Sequence, residues 1–391
     1  MITPASERPR LPALTSVRFP AALWVALFHM EAMKAFVLPG AALRRLASVG
    51  YSGVSFFFVL SGFILVYTYS GRCTSFRAFF QARFARIYPA LAFALLVTGP
   101  GYFYVCVQMR AHNPQVFVPE WAWSASHLWL STGLSVLLLE SWLPQTALAW
   151  NFPNWSLSVE AFFYCVFPFL LPRMMRLSRR QLVAVGSAGS LLVLACTLLY
   201  TRLQPDGPIT LRTIGPWINT IKFNPLVRLP EFLMGMATGL LFLRNERDRR
   251  KAWPLVAMGI AGTAAVVMGS EWIPYVVIHT ALLAPAFAVL IYGLALRPAG
   301  VQVLEHRVME ALGEASYPFY LLHSMVIGVF FLDWKTGQAK HQTMLGLVGW
   351  LLIAVTIAVA VDRWIERPLR RLLRPRRAML TAEPVAIAAE A

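Results

Sequence analysis

Arg18 and His29 stand eleven residues apart in an otherwise apolar stretch. At 100° and 1.5 Å per residue they fall within about 20° of one helix face and about 16 Å apart along its axis. Such a face carries a cation near one membrane edge and an imidazole near mid-membrane. Histidine is the side chain whose ordinary pKa lets it take and return a proton near neutrality. The pair therefore reads as base or nucleophile chemistry beside an anion-holding cation; a core histidine bonded to a neighbouring helix is the blander use of the same spacing. Arg83 and Arg86, in Arg-Phe-Ala-Arg-Ile-Tyr-Pro, are three apart on one helix face. Two guanidiniums so placed bind phosphate well, although snorkelling at a membrane interface explains them equally when they are taken alone. Together with Arg18 on the same side they make a three-arginine mouth suited to a polyphosphate ligand.

Further polar groups interrupt other apolar runs, and inside a membrane each is a functional candidate by default. Asn154-Trp155-Ser156-Leu157-Ser158-Val159-Glu160 enters its run with a carboxylate about one and a half turns in. Arg228 and Glu231 are again three apart, near the end of a run on that same side, and either line a site or simply pair with each other. His323 lies in the middle of a run that follows Ser-Tyr-Pro. Trp155, Ser158, Arg228, Glu231 and His323 are thus expected as acceptor-side or structural polar residues. Glu366-Arg367-Pro368 reads as a helix end, with proline stopping the helix and arginine meeting lipid phosphate. Gly53 to Phe63 reads as a packing surface, with close helix approach at Ser61 and Gly62.

Composition fixes the elements that must position these groups. Of 391 residues, 58% are hydrophobic and 14% charged, with mean hydropathy +0.59. Soluble domains run at about 25% charged, so a soluble globular protein is excluded. Apolar runs approach the roughly 20 residues that a hydrocarbon core of about 30 Å demands of a helix, and they lack the alternation of barrel strands. The expected fold is all-α, a polytopic transmembrane helix bundle. Candidate segments lie near 15–36, 51–70, 87–109, 156–175, 181–200, 226–243, 253–270, 274–296, 309–332 and 343–362, about ten spans; a weaker segment at 123–141 reads as a non-spanning outer helix. Lys and Arg outnumber Asp and Glu by 35 to 18. Ten spans put 24 of these basic residues on one side and 10 on the other, with Arg18 inside the first helix. That asymmetry is the positive-inside pattern, predicts both termini cytoplasmic, and removes the need for a nucleic-acid partner. Cys73, Cys106, Cys165 and Cys196 form no CxxC pair, so neither a disulfide framework nor a metal site is expected. Arg8 and Arg10 precede the first apolar run as in a signal peptide, but Arg18 and His29 interrupt it and no cleavage site follows, so it reads as the first transmembrane helix. Residues 1–377 form one membrane domain, and the Ala-rich tail 378–391 is expected to be disordered. No internal repeat is visible.

In chain order, Arg18-x10-His29, Gly-Val-Ser-Phe-Phe-Phe-Val-Leu-Ser-Gly-Phe, the Arg83/Arg86 motif, Trp-Ser-Leu-Ser-Val-Glu, Arg-Leu-Pro-Glu-Phe-Leu-Met-Gly, Ser-Tyr-Pro-Phe-Tyr-Leu-Leu-His and Ile-Glu-Arg-Pro cover nearly the whole chain. Together they resemble the acyltransferase-3 family of integral membrane acyltransferases. The resemblance implies transfer of an acyl group, most often acetyl, from cytoplasmic acyl-CoA to a hydroxyl of a sugar, glycan or lipid-linked precursor. It implies an essential role for Arg18 and His29, a donor-binding role for Arg83 and Arg86, and a catalytic carboxylate at Glu160. It also implies a bacterial cytoplasmic membrane, and here a standalone form without a fused esterase-like domain. Ser55 stands where the family often has an acidic or amide residue, and Ala161 where it often has a second polar one.

The expected mechanism places Arg18, Arg83 and Arg86 on the coenzyme A phosphates, with the pantetheine arm threading inward to His29. His29 is either general base on the acceptor hydroxyl or transient acyl carrier. Glu160 with Trp155, and Arg228 with Glu231, are expected on the acceptor side. A small hydroxylated metabolite such as a macrolide is the alternative acceptor. A proton-coupled transporter or flippase is the competing class, disfavoured by the absence of an inverted repeat and by a basic cluster at the mouth rather than the midplane.

Overall fold

The computed structural model describes residues 8–72, 74–112, 126–210, 213, 215–245, 249–332, 340 and 343–375, with the backbone alone at 105–112 and 281. The tail 378–391 lies outside the described residues. Hydrocarbon offers backbone amides no water, so a crossing segment must close its own hydrogen bonds as a helix. The described residues form helices and helical turns, with no β-strand among them.

Nine stretches among the described residues are long and apolar enough to cross a membrane. The first is Pro12–Ala32, a short α1 (Pro12–Ser16) running into α2 (Arg18–Ala32). α3 (Ala41–Ser48) lies between it and the second, which is carried by α4 (Gly53–Tyr69). α5 (Phe76–His112) carries the third, and α6 (Leu128–Val136) follows. α7 (Trp155–Met175), α8 (Arg179–Leu203), and α9 (Pro216–Phe223) continued by α10 (Pro225–Arg244) come next. α11 (Ala252–Met268), α12 (Tyr275–His279) with α13 (Ala284–Ala295), and α15 (Met344–Val361) complete the nine. The tenth expected span is α14 (Arg307–Phe331), whose 25 residues reach about 37 Å. Glu310, Glu314 and His323 lower its hydropathy, yet residues 315–324 are buried without a break, so it runs through the centre of the bundle.

Two boundaries differ from the apolar pattern for physical reasons. α5 starts eleven residues before its apolar run, because Gln81, Ala82, Arg83, Ala85 and Arg86 are good helix formers and carry the helix through the basic region. Among the described residues of 123–141 the α-helix is the nine residues of α6, about 13 Å and too short to cross.

α4 and α10 form the tightest pair in the bundle. A Cβ on Gly62 would lie 2.3 Å from the Phe232 carbonyl oxygen, and one on Gly235 would lie 2.0 Å from that of Val59. Backbones this close require glycine. α14 packs on α2 and α15, α11 on α13, and α8 on the outer side of α10. Arg8 donates to the Ser70 carbonyl, Arg10 pairs with Glu310, Arg244 donates to the Met175 and Leu177 carbonyls, and Gln81 donates to that of Leu373. These contacts gather the start of α1, the end of α4, the starts of α5 and α14 and the C-terminal helix α16 (Arg367–Leu373) on one face, the arginine-rich face.

Candidate active site

A cavity of about 200 Å³ starts near this face and runs inward. Its near end is lined by Leu14, Thr15, Arg18, Ile64, Leu65, Arg83 and Arg86, and its far end by Val54, Phe57, Phe58, Ser156, Leu157 and Tyr320. α2 begins at Arg18, so that guanidinium enters from the side, and it makes no hydrogen bond or ion pair with a described residue. Its electrostatic neighbours are Arg86, Glu160, Glu366 and Tyr164. Arg83 sits in an aromatic cage, its guanidinium carbon 5.4 Å from the Tyr69 ring centroid, 5.9 Å from Phe79 and 5.6 Å from Tyr164, and Nη2 donates to the Tyr69 hydroxyl at 3.1 Å. Three arginines around one hollow are a site for a multiply charged anion.

Glu160 lies in this same cavity, where it accepts from Ser61 at 3.3 Å and from the Tyr164 hydroxyl. Its sequence position near the start of α7 pointed to the other side of the membrane; the structure turns it toward the arginines. Arg86 is tied to Glu366, which is fully buried and also takes Arg370 at 3.2 Å. Glu366 closes a single π-helical turn, Asp362–Glu366, between α15 and α16, a departure from α geometry that is frequent at functional sites. Arg367, expected at lipid phosphate, instead pairs with Asp362 and Glu314, both at 2.6 Å. Nothing in the local sequence marks Glu366 as the partner of a residue 280 positions away.

α2 continues unbroken from Arg18 to His29. His29 Nδ1 is 2.9 Å from His323 Nε2, and His323 Nδ1 is 2.6 Å from the Tyr320 carbonyl oxygen. A carbonyl only accepts, so His323 carries its proton on Nδ1 and its Nε2 is an acceptor. His29 must then donate from Nδ1, which leaves its Nε2 with a free lone pair. This ordering is the imidazole half of the serine-protease arrangement, with a histidine in place of the carboxylate. Neither histidine lines the arginine cavity. Tyr320 borders it and packs on His323 at 5.9 Å between centroids, with Phe57 against Tyr320 at 5.9 Å. His29 keeps part of its surface exposed outside that cavity. Tyr320 therefore links the arginine hollow to the imidazole pair, with Phe57 packed against it on the hollow's wall.

The remaining expected residues surround a second buried cluster. Arg228 and Glu231 pair at 3.1 Å with essentially no exposure. Arg228 also donates to the His279 carbonyl at 2.6 Å and to Ser55 at 3.2 Å, so Ser55 meets a cation directly. Trp155 is buried against Arg228, Phe58 and Phe223, with no open face for a sugar ring. Ser158 accepts from Ser141 at 2.6 Å and fastens the turn at 140–142 to α7. In that turn Glu140 is fully buried and neither carboxylate oxygen has a hydrogen-bond partner among the described residues. Burial pushes its carboxyl well above the usual carboxylate range. The residues that sequence reasoning passed over are Tyr320, Ser156, Glu366 and Glu140; Tyr320, three residues before His323, and Ser156, four before Glu160, had a spacing that could have flagged them. No group of three or more metal-ligating side chains occurs among the described residues.

Comparison with known proteins agrees with this architecture. Residues 11–363 match the family model described as "Acyltransferase domain". The chain is 30% identical to Acyltransferase MdmB of Streptomyces mycarofaciens over 95% of both chains. It is 28% identical to Exopolysaccharide production protein ExoZ of Rhizobium meliloti, over 84% of this chain and 92% of that one. It is 21% identical to O-acetyltransferase OatA of Staphylococcus aureus over 92% of this chain, which spans 57% of that longer protein. No solved structure matches significantly. With one family model covering the helical bundle from the first span to the last, the chain belongs to the acyltransferase-3 family of membrane acyltransferases.

Proposed function

We propose that the protein moves an acyl group, acetyl by preference, from acyl-CoA to a hydroxyl of a sugar in a surface or exported glycan. In this reading it lies in a bacterial cytoplasmic membrane with both termini and the arginine-rich face cytoplasmic. One arrangement carries the reading: three guanidiniums around the near end of a cavity, with an imidazole bearing a lone pair behind the aromatic residues at its far end. Arg18, Arg83 and Arg86 hold the donor's phosphates. Phosphate bound to Arg86 competes with Glu366, and Glu160 is placed to accept from an amide N–H of the pantetheine arm. Leu65, Ile64 and Leu60 give that arm an apolar wall.

The thioester reaches the far end with Phe57 swung aside. His29 Nε2 takes the proton of the acceptor hydroxyl, whose oxygen bonds to the thioester carbon. The C–S bond breaks, and the proton passes to the departing thiolate. Partial exposure of His29 away from the arginine cavity supports an acceptor arriving from the opposite side. The relative named for exopolysaccharide production supports a sugar acceptor.

The test is purified protein in proteoliposomes, given labelled acetyl-CoA and an oligosaccharide. The expected result is alkali-labile label on the sugar, equal to the CoA thiol released. Label on a macrolide but not on a sugar overturns the acceptor assignment. Movement of a solute without CoA release returns the protein to the carrier class. Transient label on the protein in the absence of acceptor, discharged when acceptor is added and lost in H29Q, assigns His29 as acyl carrier rather than base.

A further inference from the structure

We infer that Tyr320, positioned by Ser156 beside it, supplies the hydroxyl donor that holds the thioester carbonyl oxygen as it takes on negative charge. The inference rests on the acyl-CoA reading above and assigns the half of the chemistry that His29 does not perform. The far end of the cavity is apolar at Val54, Phe57, Phe58 and Leu157, and Ser156 and Tyr320 are the hydroxyl-bearing residues that line it there. Both side chains are buried, at 7% and 6% exposure.

Their resting hydrogen bonds leave a donor to spare. Ser156 donates to the Pro153 carbonyl at 2.9 Å, the Tyr320 hydroxyl lies 2.8 Å from Ser156 Oγ, and its own contact with the same carbonyl is longer, at 3.3 Å. Two hydroxyls thus share one carbonyl. Turning the Tyr320 O–H into the cavity gives up one neutral hydrogen bond and leaves Pro153 satisfied by Ser156. A fixed charge stands behind the wall: Arg228 is fully buried, its guanidinium carbon is 5.3 Å from the Phe58 ring centroid, and it is an electrostatic neighbour of Tyr320. Preorganised donors backed by a buried cation favour charge that develops in the transition state.

Residue 320 also fixes the register between the two halves of the site. Tyr320 lines the donor cavity, while its backbone carbonyl holds His323 Nδ1–H and through it the tautomer of His29. When the acceptor oxygen bonds to the thioester carbon, the carbonyl π electrons move to oxygen and that oxyanion accepts from Tyr320, while Ser156 stays on the Pro153 carbonyl. Collapse re-forms the C=O bond and expels the thiolate, which receives the proton held by His29.

The experiment is steady-state transfer from acetyl-CoA by the full chain, comparing wild type with Y320F, S156A and mono- and difluorotyrosine at position 320. Loss of one oxyanion donor lowers kcat on the order of 10²-fold, so Y320F falls by that factor with the donor KM within about twofold. S156A falls less, because the tyrosine donor remains. Across the fluorotyrosines, which keep the shape of the side chain, kcat rises with phenol acidity as long as the phenol stays protonated. A Y320F with wild-type kcat, or a flat response across the fluorotyrosines, overturns the assignment while a wild type that turns over leaves the donor reading standing. A wild type that releases no CoA overturns both.

Discussion

Replacing His323 by phenylalanine removes the acceptor of the His29 Nδ1–H bond and keeps a ring of similar outline between Phe319 and Tyr320. The bond is 2.9 Å long and lies between buried or half-buried groups, so its donor is left without that partner. An orphaned buried donor costs about 1–3 kcal/mol, which at 1.36 kcal/mol per decade is about 5- to 150-fold in rate. The Val25 carbonyl, one turn earlier on α2, also interacts with the ring and retains part of its orientation, so the loss stays below the roughly 10⁴-fold of a wholly wrong tautomer. Glutamine at 323 brings back an acceptor oxygen and is expected to recover part of the rate. The donor KM should not move, because His323 lines no part of the arginine cavity. The assay is CoA thiol release coupled to labelled ester formation, on protein shown to be monodisperse by size exclusion. If folded H323F keeps wild-type kcat, or if its defect appears in donor KM alone, His323 does not set the tautomer of His29.

Neutralising the cavity guanidiniums one at a time, as R18Q, R83Q and R86Q, should raise the donor KM about 10- to 150-fold each, the worth of a charge-assisted hydrogen bond of about 1.5–3 kcal/mol; the same variants should respond less steeply to added salt, measured by titrating acetyl-CoA at two ionic strengths. Glu140 has a folded-state pKa raised by burial, so its unpaired carboxyl lowers stability progressively as pH rises from its unfolded value toward the folded one. E140Q should therefore raise the thermal midpoint at pH 8 and change it little at pH 4, read by a thermal melt in detergent; an equal shift at both pH values would contradict a protonated buried carboxyl. G235V should prevent α4 and α10 from meeting at Val59 and abolish monodisperse protein, whereas A161V, on the half-buried side of α7, should leave it intact.

How far the sequence disclosed this molecule depended on whether a relation was local. Ten apolar segments were legible because lipid forces each crossing to close its hydrogen bonds as helix, and Arg18 and His29 could be placed together because a single unbroken helix joins them. Arg83 and Arg86 were legible for the same reason, three apart on α5. What failed was depth relative to other helices. Glu160 was assigned to the acceptor side by counting from the start of α7, yet its neighbours are Ser61 on α4 and the arginines of α2 and α5. His323 lies 294 residues from His29, and Glu366 lies 280 from Arg86; no periodicity encodes such pairings. Trp155, expected to offer a face to a sugar, is covered by Arg228 and Phe223, because a helix start in this bundle is capped by α9 and α10.

A donor held by arginines and a base at His29 make separable contributions, and single-turnover transfer by H29Q separates them. Labelled acetyl-CoA is bound to wild-type and H29Q protein in proteoliposomes, its affinity measured, and acceptor then added. The expected result is wild-type affinity for acetyl-CoA in H29Q, with ester formation slower by at least about 10²-fold. Ester formation at the wild-type rate by folded, donor-bound H29Q would contradict it.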